Sequence, residues 1–237
     1  MRKFTTVLSF MLLFMATTVS AKSNILIAYF SWGGNTEALA NEIQRQTGAD
    51  MFRIEPVVPY STDYNTVAYG TSVEERDTGA RPAIKDTIPD LDDYDYIFIG
   101  TPVWWMQDPM IIHTFMETPQ YNGFAGKTVI PFCTYFSGTY SALTDIVAGT
   151  PNAYHLEGYG VRGASSYNTT AIHRWLERIG ILDVVAGIDH VTSETNSLAQ
   201  NSKFVYAIDG KLVNSNGKLN GLAKGLYVMN GHKFLVR

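Results

Sequence analysis

The chain has one cysteine, Cys133, so no disulfide can form within it and a disulfide scaffold is excluded. Positive charge is also scarce. Lys and Arg number 18 against 22 Asp and Glu, a formal net charge of −4, and no basic run occurs anywhere. Such a chain is not built for a nucleic-acid backbone. Internal repeats and low-complexity tracts are absent, and the five histidines show no paired metal-ligand spacing. Beyond residue 21 no apolar run is long enough for a membrane span. What the chain does have is ordinary apolar content, 46% hydrophobic over 237 residues. That is enough for one folded domain with an appendage, or for two small domains.

Residues 1–21 stand apart. Arg2 and Lys3 precede a mostly apolar stretch over residues 7–15, and Val19-Ser20-Ala21 offers small residues at a cleavage site. This is the pattern of a secretory signal peptide. The reading excludes residues 1–21 from the fold and predicts an exported protein, periplasmic, secreted or at the cell surface. Without Arg2 and Lys3 the 18 basic residues become 16 against 22 acidic ones, a net charge of −6. No Cys follows the site, which argues against a lipid anchor.

The most informative stretch covers residues 24–36. Ile25 to Phe30 is an unbroken apolar run, as a parallel strand covered on both faces requires. Ser31, Trp32, Gly33, Gly34, Asn35 and Thr36 follow at once, and a helix begins near Asn35. Glycines let several N–H groups turn toward one anion, and a helix start adds free N–H groups and the positive end of its dipole. The hydroxyls of Ser31 and Thr36 and the amide of Asn35 complete a phosphate cradle. An ordinary strand-to-helix turn with an Asn or Ser cap reads equally well on this stretch alone.

Downstream, helix and strand signals alternate. Residues 37–47 read as an amphipathic helix with Leu39, Ala40 and Ile43 on one face, stopped by Gly48. A short strand at residues 51–55 follows, then a long connection, residues 60–90, whose middle (64–76) has helical character; a connection of that length is often functional or wraps the surface. Residues 94–100 form a third strand, leading to Thr101, Pro102, Val103, Trp104, Trp105 and Met106. Asp108 and Pro109 suit an N-cap and a first helical position before Ile111, Ile112, Phe115 and Met116. A fourth strand at residues 128–133 leads to Thr134, Tyr135, Phe136, Ser137 and Gly138, then a helix through Leu143, Ile146 and Val147. A weaker fifth strand lies within residues 152–161, and Asn168-Thr169-Thr170 caps a helix carrying Ile172, Trp175, Leu176 and Ile179. This alternation predicts a doubly wound parallel sheet, whose ligand sits beyond the carboxyl ends of the strands. Three loops then converge on one crevice.

Several phosphate binders are excluded. No Gly-Lys-Ser/Thr follows the first loop, so it is no P-loop of an NTPase. Thr139 stands where a Cys-x5-Arg phosphatase needs its Arg. Gly-x-Gly-x-x-Gly is missing, although Glu55 ends the second strand where a ribose-binding acid would stand. A flat, partly apolar crevice with two tryptophans beside a phosphate cradle suits a flavin mononucleotide (FMN) ring; a pair of core tryptophans is the plainer reading.

Residues 23–183 resemble the flavodoxin family. The resemblance rests on Tyr29-Phe30-Ser31-Trp32-Gly33-Gly34-Asn35-Thr36, Gly100-Thr101-Pro102-Val103-Trp104-Trp105 and Pro131-Phe132-Cys133-Thr134, three motifs in order. It implies a three-layer sandwich with a five-stranded parallel sheet of order 2-1-3-4-5 and bound FMN over residues 22–183. By the same carry-over Ser31 to Thr36 hold the phosphate, while residues 101–106 and 134–138 flank the ring. Gly33 departs from the Ser or Thr usual in the family and removes one hydroxyl from the cradle. Met106-Gln107-Asp108 stands where the family often has Gly, which makes a peptide turn over flavin N5 costlier. Tyr135 and Phe136 are bulkier than the usual Ser/Gly-rich loop. Asp108 and Glu157 are candidate acids for tuning the flavin, or plain surface groups; His155, at the fifth strand, is a further candidate neighbour of the crevice.

Function then reads as electron transfer through a non-covalent flavin, with a redox partner protein or a small-molecule acceptor. A nicotinamide-dependent FMN reductase of quinones or other small acceptors is the alternative, and a flavin-binding module without turnover a lesser one. Cys133 reads as a buried structural thiol. Beyond residue 183 the pattern changes: a polar linker over residues 184–202, then a β-rich tail, 203–237, with turn signals at Asp209-Gly210, Asn216-Gly217 and Asn230-Gly231. Its end resembles the sorting tails of some exported bacterial proteins.

Overall fold

The computed structural model describes residues 24–87, 89–164, 166–185, 205–207, 212–214, 222, 225–229 and 232–236. The expected signal peptide, and the expected linker from residue 186 on, lie outside the described residues. Strand β1 (Ile25–Tyr29) is buried along its whole length. It pairs in parallel with β2 (Asp50–Arg53) on one side and β3 (Tyr96–Pro102) on the other. β3 pairs with β4 (Thr128–Tyr135), whose outer side carries β5 (Tyr154–His155) and β6 (Tyr159–Arg162). The sheet is parallel, as the alternation of elements predicted, and its order, β2-β1-β3-β4-β5, is the one the resemblance implied.

The fifth position is split in two, where the sequence suggested one weak strand. Proline is the physical cause. Pro131 has no N–H to donate to the ladder. Across this point the β4 residues between Val129 and Phe132 face the longer stretch between His155 and Tyr159. The edge strand therefore carries an extra residue and bulges. Gly158 sits at the bulge, and a Cβ there would lie 2.9 Å from the Pro131 carbonyl oxygen.

Helices cover both faces. Helix α1 (Asn35–Thr47) buries Leu39, Ala40 and Ile43, and ends at Gly48 in the left-handed conformation, whose N–H bonds to the Gln44 carbonyl. With α6 (Thr169–Arg178) it packs on Ile25, Ile27, Phe98, Ile130 and Phe132. The other face, built on Leu26, Ala28, Ile97 and Ile99, receives α4 (Met110–Met116) and α5 (Ala142–Gly149). Asn168 caps α6 through a side-chain bond from the Ala171 N–H, as its position suggested. The long connection is helical in three pieces: α2 (Tyr64–Thr66), a π-helical run (Val67–Thr71) and α3 (Ser72–Thr78). Asp63 starts it by accepting from the Thr66 N–H at 2.7 Å.

The tail contains β7 (Val205–Ala207), β8 (Leu212–Asn214), β9 (Gly225–Met229) and β10 (His232–Val236) in an antiparallel sheet of order β10-β9-β7-β8. β9 and β10 pair Met229 with His232, which leaves Asn230-Gly231 between them, the dipeptide read as a hairpin turn.

Gly100 explains part of the β3 motif. A Cβ on it would lie 2.1 Å from the Phe132 ring, which is itself fully buried. Gly100→Ala therefore overpacks the centre of the sheet. The expected result in urea unfolding is a loss of about 1–3 kcal/mol; an unchanged midpoint would show that the ring moves aside freely.

Candidate functional site

The three loops predicted to converge do so at the carboxyl edge of the sheet. The first is held in place by the backbone bond from the Phe30 N–H to the Gly100 carbonyl at 3.0 Å, and by the Trp32 indole donating to the Ser61 carbonyl at 2.8 Å. Gly34 is the N-cap of α1, with φ 83°, and no side chain caps the helix. The expected Asn or Ser cap is replaced by a glycine, because the loop enters the helix through the left-handed region. The first N–H groups of α1 are therefore free of side-chain acceptors and lie at the positive end of the dipole. The Ser31 hydroxyl, on a residue 5% exposed, has no hydrogen-bond partner among the described residues. Thr36 Oγ1 lies 2.8 Å from Thr134 Oγ1, so the helix start is anchored on the end of β4.

These elements enclose a cavity of about 490 Å³, within the range of small-molecule sites. Of the predicted residues, Ser31, Trp32, Gly33, Asn35 and Thr36 line it, as do Pro102 to Met106 and Thr134 to Gly138. Gly34 and Thr101 do not. Gly34 acts through backbone geometry, and Thr101 is wholly buried, its hydroxyl donating to the Pro102 carbonyl. The lining also includes residues that reading the sequence left out: Tyr64, Val67, Ala68, Tyr69 and Ser72 from the long connection, Tyr140, and Arg162 with Gly163 beyond β6. The unusual length and tyrosine content of the connection were the available signal.

One wall is aromatic and tied to that connection. The Trp105 indole donates to the Ala68 carbonyl at 2.6 Å, within the π-helical run. Tyr69 meets Trp105 edge-on at 5.9 Å, and Arg76 stacks on its ring. Trp104 packs deeper, edge-on to Phe30, Trp32 and Tyr60. Trp105 and Met106 both have positive φ, 50° and 70°, inside a tight turn closed by two backbone bonds between Trp104 and Gln107. Left-handed non-glycine residues cost on the order of 1–3 kcal/mol each and cluster at functional sites. The Met106 carbonyl accepts from both the N–H and the hydroxyl of Ser141, each at 3.0 Å, which fixes the turn against α5. Tyr135, Phe136, Ser137 and Tyr140 complete the lining from the β4 loop.

The candidate tuning acids are placed elsewhere. Asp108 does not cap α4; Pro109 is the N-cap, and no side chain bonds there. Asp108 is buried instead, 3.1 Å from His113 Nε2, with its second oxygen unpartnered. Burial pushes the Asp108 carboxyl upward, and the hydrogen bond to Asp108 raises His113. Glu157 pairs with Arg178, and Glu55 with Arg53 and Lys85; neither lines the cavity. His155 also lies outside the lining, against Thr150, and burial lowers its pKa. Cys133 is fully buried and its thiol is pushed up to about 12 by desolvation, so it is unreactive.

Comparison with known proteins agrees with this architecture. The family model described as Flavodoxin matches residues 24–179. A candidate flavoprotein from Bacteroides eggerthii DSM 20697 is 35% identical, with a TM-score of 0.57, and the match covers 66% of this chain and 97% of that one. A candidate flavoprotein from Bacteroides uniformis ATCC 8492 is 32% identical at the same TM-score, covering 66% and 99%. A flavoprotein in complex with FMN from Lactobacillus acidophilus NCFM shares the fold at 19% identity and a TM-score of 0.53, covering 65% and 99%. The search of curated proteins found no match.

The buried Asp108–His113 pair makes stability depend on pH. His113 is raised in the folded state, so its contribution is complete below its ordinary pKa and is lost as pH rises through the raised one. His155, lowered by burial, acts in the opposite direction. The difference between wild type and His113→Gln isolates the first effect. At pH 6 the variant is expected to be about 3 kcal/mol less stable, because it strands a buried carboxylate. The gap should narrow by pH 9. A gap independent of pH in urea titrations would refute the charged pairing.

Proposed function

This chain belongs to the flavodoxin family, and we propose that its cavity binds FMN non-covalently and that the protein passes electrons through it. The observation that carries the reading is the pairing of an uncapped α1 N-terminus with the buried, unpartnered Ser31 hydroxyl. A phosphate group satisfies both, since it offers acceptor oxygens to the free N–H groups and to the serine. The aromatic walls then suit a planar ring. When bound, FMN supplies a centre that takes up and returns electrons one or two at a time.

The remaining work falls to the chain's own residues. Ser31, Gly33, Gly34, Asn35 and Thr36 hold the phosphate through hydroxyls, backbone N–H groups and the helix dipole. Thr36 and Thr134 lock that cradle to the sheet. Trp105, backed by Tyr69 and Arg76, forms one side of the ring slot and Tyr135 the other, while the exposed Phe136 and Tyr140 stand at its mouth. Pro102 to Trp104 form the floor.

A second reading is favoured by one observation. The Met106 carbonyl, pinned by two bonds from Ser141 within a strained turn, resists rearrangement of its peptide. A rigid loop suits an enzyme that moves two electrons together to a quinone or similar small acceptor, with a nicotinamide as donor. Binding without turnover is the third possibility. Export belongs to the same proposal: residues 1–21 are removed and the protein works in the periplasm or outside the cell, with a redox partner or acceptor met there. Intact-mass measurement on cell fractions tests this, and cytoplasmic protein that keeps Met1 rejects it.

Titration with FMN and riboflavin tests the central claim. FMN is expected to bind more tightly than riboflavin, which lacks the phosphate. Gly33→Thr adds a hydroxyl where a Cβ meets nothing within 4 Å. It should tighten FMN about tenfold, the worth of one bond to a charged group, and leave riboflavin unchanged. Failure of FMN to bind rejects both redox readings. With FMN bound, anaerobic reduction separates them: a long-wavelength absorption band at half-reduction supports the carrier, direct bleaching by a nicotinamide supports the reductase, and neither supports a module without turnover.

A further inference from the structure

Arg162 is the one charged side chain among the described residues that line the cavity. It is exposed, and no carboxylate among the described residues pairs with it. Its guanidinium sits over the Phe136 ring at 5.1 Å. Phe136 is 82% exposed, an unfavourable state for a phenylalanine unless something covers it. Stacking holds the cation at the rim in a set position.

Strand geometry places this cation on the face of the sheet away from α1. Arg162 pairs with Tyr135 across β6 and β4. Side chains two apart on a strand share a face. Gly160, two residues before Arg162, faces Cys133 Sγ and the Tyr135 ring. Val161, between them, faces the other way, into the cluster built on α1 and α6. Arg162 therefore leaves the sheet on the face opposite α1, while the cradle stands at the start of α1. Tyr140, 52% exposed and bonded to the Ser137 hydroxyl at 3.1 Å, adds a second exposed ring to the same lining. Trp105 and Met106, 42% and 59% exposed, line the same cavity. The mouth thus combines apolar rings with one uncompensated positive charge.

We propose that Arg162 and Phe136 form a recognition site at the mouth for the second reactant, a planar aromatic molecule carrying a carboxylate, sulfonate or phosphate. Its ring stacks with Phe136 and Tyr140, and its anion bonds to Arg162 in the bidentate fashion open to a guanidinium. This rests on the reading that FMN occupies the inner cavity.

The test uses the full chain loaded with FMN and calorimetric titration with 2-naphthoate and its neutral analogue 2-naphthamide. Naphthoate is expected to bind at least about tenfold more tightly, the worth of one bond to a charged group. Arg162→Gln should abolish that preference without changing the affinity for FMN. Arg162→Lys should keep part of it, and Phe136→Ala should weaken both ligands alike. Equal binding of the two ligands, no binding of either, or a preference that survives Arg162→Gln overturns the proposal. So does a variant that loses FMN affinity while keeping that for riboflavin, because Arg162 then serves the cofactor phosphate. FMN failing to bind wild type is seen before any naphthoate is added, and it rejects the underlying reading instead.

Discussion

The start of helix α1 is the constraint on which the site depends. A helix whose first N–H groups have no side-chain cap leaves donors that need an acceptor. Here the capping residue is Gly34 in the left-handed region, and the nearby Ser31 hydroxyl is buried without a partner. Two unmet needs at one point make a site for an anion. The rest of the fold keeps that point still. Ile25 to Tyr29 bury the strand beneath it, and Leu39, Ala40 and Ile43 fix the helix above it. The bond between Thr36 and Thr134 ties the helix start to β4, two strands away from β1.

The aromatic wall depends on a different exchange. The π-helical run of the long connection presents the Ala68 carbonyl to Trp105, and Trp105 and Met106 take up left-handed backbone to reach it. Such irregularity is seldom kept without a purpose. The connection, the β3 loop and the start of α5 are joined by the bonds from Trp105 to Ala68 and from Ser141 to Met106.

Much of the architecture was legible in the chain itself. The apolar run before Ser31, the 3.6-residue stripes of α1 and α6, and the Asn168 cap follow from local preference and burial pattern, and these act over short range. The split of the edge strand was less visible. Its cause, Pro131, lies in the neighbouring strand and acts only once β4 and the edge strand are paired. Asp108 misled for a related reason. Next to Pro109 it has the look of a cap, yet the fold buries it against His113 and Pro109 itself starts the helix.

Local signals along the chain suffice for the succession of strands and helices, the glycine-rich loop after the first strand and the two tryptophans after the third. Backbone conformation and side-chain polarity are local properties, and they are written in order along the chain. What those loops enclose was settled by folding in three dimensions. It brought Tyr69 and Ala68 to Trp105, set Arg162 over Phe136, and left Glu55, Glu157 and His155 outside the cavity. Those outcomes depend on strand register, on which face of the sheet a residue leaves from, and on packing between distant segments. No window of sequence contains them.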